Sequence, residues 1–423
     1  MLEGAARANQ VPGAQLAVFE NGDTRAYTFG EAEHRGGVAL TADDKLPIGS
    51  ITKTFTAALA MVLVSDGDLD LDDPVADYLP ELRRLSSGSP AGLTTRHLLS
   101  HTGGLTAECP GLPAGRAGWS RWVRGVQAPG TGFSYSNLGY ALAGRLVEAV
   151  TGVPWTAAVR DILLKPLGIT PAFVVGDSPE QYVPGHAVNL ATRRVRRVTQ
   201  ALEPVEAPAG ALALSATDLV TFARLLLRPA LGGTADGLVA PAELAEMCRP
   251  VPHAEPFGLA DGWGLGVALF GAGWVGHDGT ADGTSCQLRV DLNTGTAVAL
   301  TTNASSGNGV WPHVVDELGA GDYTAPTRTA HRVPPPRGCA GIYYNGDIEY
   351  AVFVEGDVIR LVVDDEPAAR LVPHEGLMFS VVDLNTGETA RPGRFLRNSG
   401  AEIDRIQIGG RVARRQHRAR EVA

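Results

Sequence analysis

The sequence predicts an α/β fold of the α+β type, in which an antiparallel sheet is flanked by helices and is followed by a small antiparallel β domain. Three observations predict it: strand-like segments occur near the N-terminus and again far along the chain, mostly helical patterns separate them, and the C-terminal part alternates polar and apolar residues between close turns. We expect a first domain of residues 1–323, a linker of residues 324–338 and a second domain of residues 339–423.

The first sheet element is a hairpin. The segment "AQLAVFENGDTRAYTFG" (14–30) contains two alternating runs joined by Asn21-Gly22, a strong turn signal. Helical patterns then dominate to about residue 230. Strand patterns return afterwards, so the sheet is completed from far along the chain and the helical region is inserted between its halves. The predicted helices are 51–64, 137–150, 155–165, 215–227 and 309–318, and the later strands are 263–270, 285–291 and 296–302.

The linker "TAPTRTAHRVPPPRG" (324–338) is rich in proline and arginine and lacks periodicity. The segments that follow it, such as "IEYAVFVEGDVIRLVVDD" and "IDRIQIGGRV", turn about every 8–12 residues. This pattern is typical of a small antiparallel barrel or sandwich.

Composition and charge argue against some classes of partner and compartment. With 44% hydrophobic residues, 19% charged residues and a net charge of −10, the 423-residue chain is an ordinary globular protein that disfavours nucleic acid as a partner. Its four cysteines are widely spaced, which suits a reduced compartment. The N-terminus has no signal-peptide pattern, and the longest apolar run (57–64) is too short to span a bilayer. We therefore expect a cytoplasmic protein that uses no membrane.

The candidate nucleophile lies in "LPIGSITKTF" (46–55). Ser50 begins a helical pattern, and Lys53 follows one turn later on the same face. A lysine held near a serine in a desolvated site can take the proton of the hydroxyl group, and the helix start favours oxyanion charge. Since S-x-x-K is common, the motif alone more often describes a helix cap followed by a solvated lysine. Thr52 replaces the last glycine of a G-x-S-x-G elbow, which argues against an α/β-hydrolase.

Two further motifs favour the catalytic interpretation. "PGTGFSYSNLGY" holds Tyr135-Ser136-Asn137 at a loop-to-helix junction, and "GWVGHDGTADGTSCQLRV" holds His277-Asp278-Gly279 on a strand. In this order the three motifs resemble the signature of the serine penicillin-recognising enzymes over about residues 10–320. The resemblance implies a β-lactamase/penicillin-binding-protein-like fold.

The resemblance also implies catalytic roles. Ser50 would be the acylated nucleophile, Lys53 and Tyr135 would exchange its proton, and Asn137 would hydrogen-bond a substrate amide or Lys53. The oxyanion hole would consist of the backbone N–H groups of Ser50 and Thr280.

His277 stands where β-lactamases have a lysine, which puts recognition of an antibiotic carboxylate in doubt. Gly279 would lie along bound substrate. Among other candidates, His101 in "LLSHTGGL" is interpreted as a structural residue that ties down loop backbone. The acidic stretch "SDGDLDLDDP" (65–74) has Leu71 where a calcium loop needs glycine, so we expect a solvated loop and no metal.

Further segments, including "YYNGDIEYAVFVEGD" in the second domain, resemble the penicillin-binding-protein-type thioesterases, the surugamide-cyclase-like enzymes of non-ribosomal peptide synthesis. The family implies a lipocalin-like barrel, no cofactor, and a peptidyl substrate carried on the phosphopantetheine of a carrier domain. It further implies transfer to Ser50, release as a head-to-tail macrolactam, and preference for a C-terminal D-residue.

Arg411 follows Gly409-Gly410 at the end of the last predicted strand. In that family the small β domain lies beside the active-site mouth, which would let Arg411 contact the folded-back peptide. Arg414 to Arg420 are interpreted as a solvated basic tail or as contacts with an acidic carrier domain. The alternative function is an intracellular esterase or D-amino-acid peptidase with water as the acceptor, and a third reading is an inactive binding protein of the same fold.

Overall fold

The structure is a computed structural model of the whole chain. The residues that it describes are 1–84, 92–109, 119, 123–175, 181–227, 237–323, 332–384 and 389–416. Most of the predicted linker and the end of the basic tail therefore lie outside the described residues.

The predicted mixture of strands and helices is present in residues 1–323. The strands are β1 (Gly13–Glu20), β2 (Asp23–Gly30), β3 (Leu46–Pro47), β4 (Ala172–Phe173), β5 (Gly185–Asn189), β6 (Arg194–Val198), β7 (Leu212–Leu214), β8 (Gly262–Trp263), β9 (Ala268–Phe270), β10 (Trp274–Ala281), β11 (Thr284–Asp291) and β12 (Thr296–Thr302). The α-helices are α1 (Leu2–Ala8), α2 (Thr52–Ser65), α3 (Val75–Tyr78), α4 (Thr95–Leu99), α5 (Asn137–Thr151), α6 (Trp155–Ala158), α7 (Ala207–Gly210), α8 (Ala216–Leu227), α9 (Pro241–Met247) and α10 (Trp311–Leu318).

The main sheet combines the two ends of this region. Its described strands are antiparallel and lie in the order β2-β1-β12-β11-β10-β9-β8, so the N-terminal hairpin pairs with a strand from far along the chain. Leu16 of β1 lies opposite Leu300 of β12. The hairpin turns at Asn21-Gly22, where both residues have positive φ as this turn requires. The prediction that the helical region is inserted between sheet halves is confirmed.

Helices cover both faces of the sheet. Alternate residues of β12 point to opposite sides, so that Ala297 packs with α2 and α8 whereas Val298 packs with α1 and α10. Helix α2 is buried along its length from Thr52 to Leu63. A helix buried on all sides holds its residues firmly, and Lys53 is one of them.

The second domain is a closed antiparallel barrel whose described strands follow one another in sequence order. They are β13 (Gly341–Asn345), β14 (Ile348–Glu355), β15 (Val358–Val363), β16 (Glu366–Pro373), β17 (Met378–Asp383), β18 (Thr389–Arg397), β19 (Ile403–Ile408) and β20 (Arg411–Arg415). Strand β20 closes the barrel by pairing with β13. Of the two folds expected from the sequence, a barrel or a sandwich, the domain is therefore a barrel.

One expectation about the C-terminus is wrong. Arg411 does not end the last strand. Gly409-Gly410 form a turn after β19, and Arg411 begins the further strand β20. Arg414 and Arg415 therefore belong to the barrel wall rather than to a solvated tail, and Arg415 donates to the carbonyl oxygen of Ala340 at 2.6 Å.

Two other properties bear on chemistry. All four cysteines are free. Within the described residues, no helix is both long enough and apolar enough to cross a membrane.

Candidate active site

Ser50 lies in a short 3-10 turn (Gly49–Ile51) that leads directly into α2. The α-helix itself begins at Thr52, two residues later than the nucleophile, so Ser50 precedes the first helical turn instead of starting it. The Nζ atom of Lys53 lies 3.1 Å from Oγ of Ser50. The pair predicted from S-x-x-K is therefore within hydrogen-bonding distance.

Lys53 is suited to act as a base. Its side chain is fully buried, and burial lowers the pKa of the ammonium group from 10.5 to about 7 because water no longer solvates the charge. Nζ also donates to the carbonyl oxygen of Ala209 at 2.7 Å, which fixes its direction. At neutral pH a large fraction of Lys53 is therefore unprotonated and can accept the proton of Ser50.

Tyr135 faces the same pair. Nζ of Lys53 lies 5.0 Å from the centre of its ring, and its hydroxyl group hydrogen-bonds Ser50. Burial raises the pKa of the Tyr135 phenol well above its ordinary value, although the bond to Ser50 opposes this. Tyr135 thus remains protonated at neutral pH and is suited to donate a proton, whereas Lys53 is suited to accept one.

His101 supports this tyrosine. Its Nδ1 accepts from the backbone N–H of Ser136 at 3.1 Å, and its ring lies 4.2 Å from the ring of Tyr135. The interpretation of His101 as a residue that ties down loop backbone is confirmed.

Asn137 begins α5 on the other side of Ser50, but its partner differs from the two considered. Among the described hydrogen bonds, its Nδ2 donates to Glu108 at 2.6 Å rather than to Lys53. The second carboxylate oxygen of Glu108 accepts from Arg411 of the barrel at 2.5 Å. Glu108 thus links Asn137 of α5 to the second domain, and no motif in the sequence marked it.

His277 is neutral at physiological pH. Burial lowers the pKa of its imidazole to about 4, and Nδ1 lies 2.5 Å from the carbonyl oxygen of Asp278, so Nδ1 carries the proton. The buried Nε2 atom has no hydrogen-bond partner among the described residues and presents a lone pair. A neutral acceptor cannot attract a carboxylate as a lysine would, in agreement with the expectation from the sequence.

Strand β10, which carries His277, is held by an ion pair with the neighbouring strand. Arg289 on β11 is fully buried and pairs with Asp278 at 2.8 Å, with its guanidinium group 3.9 Å from the ring centre of Phe270. This arginine was missed because a lone Arg in an apolar strand gives no motif.

The backbone around Ser50 packs directly against β10. A side chain at Gly279 would collide with the carbonyl oxygen of Ile48, and one at Gly49 with that of Thr280, so only glycines allow the approach. Ser50 and Thr280 consequently line the same cavities, as an oxyanion hole built from their N–H groups requires.

Two cavities meet at Ser50. The first, of about 320 Å³, is bounded by Asn137, Gln200, Glu206 and Asp282. Burial raises the pKa of the Glu206 carboxyl group, with a further contribution from nearby Glu108.

The second cavity, of about 310 Å³, is more aromatic and receives the barrel. Tyr135, Trp263, Phe270 and His277 line it together with Gly409 and Arg411. Residues from both domains therefore share one cavity with the nucleophile.

The barrel also holds the segment that carries Tyr135. The backbone N–H of Tyr135 donates to the carbonyl oxygen of Gly410 at 2.9 Å, and that of Val412 donates to Oγ of Ser134 at 3.2 Å. The side-chain amide of Gln407 donates to the carbonyl oxygen of Phe133, which belongs to the same segment. The turn between β19 and β20 is thus a wall of the site and a support for its tyrosine.

Comparison with known proteins agrees with this geometry. The family model described as Beta-lactamase matches residues 2–316. Penicillin-binding protein 4 of Amycolatopsis lactamdurans is 34% identical over 327 residues, which cover 73% of this chain and 85% of that protein. The D-stereospecific amidohydrolase from Streptomyces sp. is 29% identical with a TM-score of 0.57, covering 73% of this chain and 94% of its own.

The similarity to the crystal structure of SurE extends further. It covers 98% of this chain and 97% of that chain, with 36% identity and a TM-score of 0.85. SurE with D-Leu gives a TM-score of 0.83 at the same identity and coverage.

Proposed function

Because this chain belongs to the β-lactamase family, we propose that it uses the serine acyl transfer of that family as a stand-alone thioesterase and peptide cyclase. In this proposal Ser50 takes a peptidyl group from a phosphopantetheinyl thioester on a carrier domain and releases it as a head-to-tail macrolactam. The similarity to SurE, a surugamide cyclase, supports the proposal because it spans both domains.

The first half-reaction forms an acyl-enzyme. Lys53 accepts the proton of Ser50 as Oγ attacks the thioester carbonyl carbon, and the oxyanion is held by the N–H groups of Ser50 and Thr280. The C–S bond then breaks, and the departing sulfur takes a proton through Tyr135 while Lys53 resupplies it. A serine ester and a free pantetheine thiol result.

The second half-reaction releases the product. The N-terminal amine of the same peptide attacks the ester carbonyl carbon, forms the C–N bond and gives up a proton to the Lys53 and Tyr135 pair. The C–O bond to Ser50 breaks, and Oγ recovers that proton. The proton balance closes without a cofactor.

The single observation that carries the cyclase proposal is the shared second cavity, in which Gly409 and Arg411 of the barrel stand beside Ser50, Tyr135 and His277. A wall from a second domain can hold a folded peptide over the ester and exclude the water that would otherwise hydrolyse it. The lone pair of His277 Nε2 provides an acceptor for a peptide N–H group in this cavity.

We further propose that the acyl residue has the D configuration. SurE with D-Leu and the D-stereospecific amidohydrolase both support this stereochemistry. Inverting the α-carbon moves the side chain away from its pocket while the carbonyl group must stay in the oxyanion hole. We also propose that the reaction occurs in the cytoplasm, where loaded carrier domains occur.

The second candidate function is hydrolysis by the same acyl-enzyme, as in an esterase or a D-amino-acid peptidase. The similarity to the D-stereospecific amidohydrolase favours it. That similarity covers 73% of this chain, whereas the similarity to SurE covers nearly all of it.

The test is incubation with peptidyl pantetheine thioesters that differ only in a D- or L-residue at the acyl carbon. We expect cyclic peptide from the D epimer with kcat/KM about tenfold higher or more, and acyl mass on the Ser50 peptide in intact and tryptic mass spectra. Ser50→Ala is the control and should show neither. Linear acid as the sole product would favour the hydrolase, and equal kcat/KM values would contradict the stereochemical proposal.

A further inference from the structure

An arginine-rich hairpin stands beside the first cavity. Strands β5 and β6 form a separate two-stranded sheet, here called the basic hairpin (residues 185–198). Its sequence "TRRVRR" places Arg193, Arg194, Arg196 and Arg197 within five consecutive positions, and all four are exposed. This concentration of positive charge is unusual in a chain whose net charge is −10.

Three of these arginines are available to a partner. Arg194 and Arg196 alternate along β6 and therefore share one face of the hairpin, opposite the exposed residues of β5, while Arg193 lies in the turn with positive φ. Arg197 points to the other face and approaches Glu33 at 3.5 Å. Among the residues that the structure describes, the other three make no ion pair.

The hairpin is fixed to the active site at its base. The N–H of His186 donates to the carbonyl oxygen of Gly283 at 2.8 Å. The side-chain amide of Gln200 donates to the backbone carbonyl oxygen of Asp282. His186 is held again by Nδ1, which donates to the carbonyl oxygen of Asn303 at 2.8 Å. The base of the hairpin thus lies on the turn between β10 and β11.

Residues of that turn and of the segment that follows the hairpin line the same cavity as Ser50. Gln200 and Asp282 line the first cavity together with Ser50. Arg194 lies four positions before Val198 at the base, so the arginines extend to about 13 Å beyond the base. The positive face therefore lies at the end of the hairpin farther from this base, and the base adjoins the cavity that contains Ser50.

A phosphopantetheine arm has matching chemistry. Its thiol carries the peptidyl group at one end, and at the other end a phosphodiester joins it to the carrier domain. When the thioester carbonyl is at Ser50, the negative charge lies an arm's length away and close to the carrier surface. Arginine binds phosphate oxygens with charge-assisted hydrogen bonds, whereas the acidic remainder of this chain repels an anion.

We infer that the outer face of the basic hairpin, formed by Arg193, Arg194 and Arg196, docks the carrier domain at the phosphodiester of its phosphopantetheine arm. This inference rests on the proposed function and gives the carrier a place of contact. The thioester then enters by the first cavity, and the second cavity remains for the folded-back peptide. The carrier contact lies on the hairpin rather than on the arginines of the C-terminal tail.

The experiment compares two donors of the same peptide in the full-length enzyme: a phosphopantetheinylated carrier domain loaded with the peptide, and the peptidyl pantetheine thioester, which lacks both phosphate and protein. The variant is Arg193→Gln, Arg194→Gln, Arg196→Gln combined. We expect its KM for the loaded carrier to rise about tenfold at low salt, as the loss of three exposed ionic contacts predicts. We expect kcat/KM for the pantetheine thioester to stay unchanged, and added salt to raise the wild-type KM toward that of the variant.

A matched control removes three exposed arginines on other elements, Arg7, Arg25 and Arg249, each replaced by Gln. It changes the net charge equally and should keep the wild-type KM for the loaded carrier. An unchanged carrier KM in the hairpin variant would overturn the inference, as would an equal loss with both donors, since that would indicate a disturbed cavity. Linear acid in place of cyclic product from the wild-type enzyme would contradict the cyclase proposal while the KM comparison still tests docking.

Discussion

Replacing Lys53 by methionine should abolish turnover and, at the same time, stabilise the fold. A lysine whose pKa falls from 10.5 in the unfolded chain to about 7 in the native protein lowers stability, because the native state binds the proton less tightly. At pH 7 this cost corresponds to roughly 4 kcal/mol, at 1.36 kcal/mol for each tenfold change in proton affinity. Loss of the hydrogen bonds to Ser50 and Ala209 offsets about 2 kcal/mol of the gain.

The sign of the pH dependence follows from linkage. Between pH 7 and 10.5 the unfolded chain binds more protons at Lys53 than the native protein does, so wild-type stability rises with pH in this interval. The Lys53→Met variant lacks this rise. Its advantage of about 2 kcal/mol at pH 7 should therefore shrink by about 2 kcal/mol, and so nearly vanish, at pH 9. The same pKa of about 7 should appear in wild-type kcat/KM, which increases with pH as Lys53 loses its proton.

The measurement is equilibrium urea unfolding of wild type and variant at pH 7 and pH 9, with Lys165→Met as the control. Lys165 is exposed, so its substitution should change the free energy of unfolding by less than about 0.5 kcal/mol at either pH. A Lys53→Met difference that is the same at both pH values would refute the assignment of a depressed pKa. Retained turnover in the variant would refute Lys53 as the base.

Two further predictions concern the contact between the domains. Gly410→Ala should lower kcat about tenfold or more, because a methyl group there meets neighbouring side chains and shifts the support of Tyr135. Gly409→Ala also has positive φ but faces open space and should lose far less, so similar losses in the two variants would contradict the role of the turn. Glu108→Gln and Arg411→Ala should each leave acylation largely intact and lower the ratio of cyclic to linear product. Because the two residues act as a pair, the double variant should be no worse than the poorer single variant. Additive losses would show that the two residues act separately.

Local patterns predicted much of the fold. The Asn21-Gly22 turn, the helix after Ser136 and strand β12 are short-range features, because turn residues, caps and alternation act between neighbours in sequence. The S-x-x-K pair was likewise predictable, since residues i and i+3 lie on the same side of a 3-10 turn as they do on an α-helix.

The remaining parts of the site depend on long-range contacts. Glu108 obtains its role only when the barrel brings Arg411 to it across 303 positions of sequence, and the loop around Glu108 has no period that marks it. Arg289 is similar, because its partner Asp278 is defined by strand register. The final turn at Gly409-Gly410 was misread because a short strand after it adds only five residues to the barrel.

The order of the strands has a consequence for synthesis of the protein. Strand β1 pairs with β12, which ends at Thr302, whereas the N-terminal hairpin ends at Gly30. During synthesis the hairpin therefore lacks its partner strand until about 270 further residues have been made, and such a distant pairing slows folding. The barrel follows, and its last strand supplies Arg411 and closes the wall beside Ser50. A nascent chain that stops before the turn at Gly409-Gly410 would therefore have its serine and lysine but an unfinished site. The support of Tyr135 by Gly410 and the cavity wall that carries Arg411 are thus the last parts of the site to be synthesised.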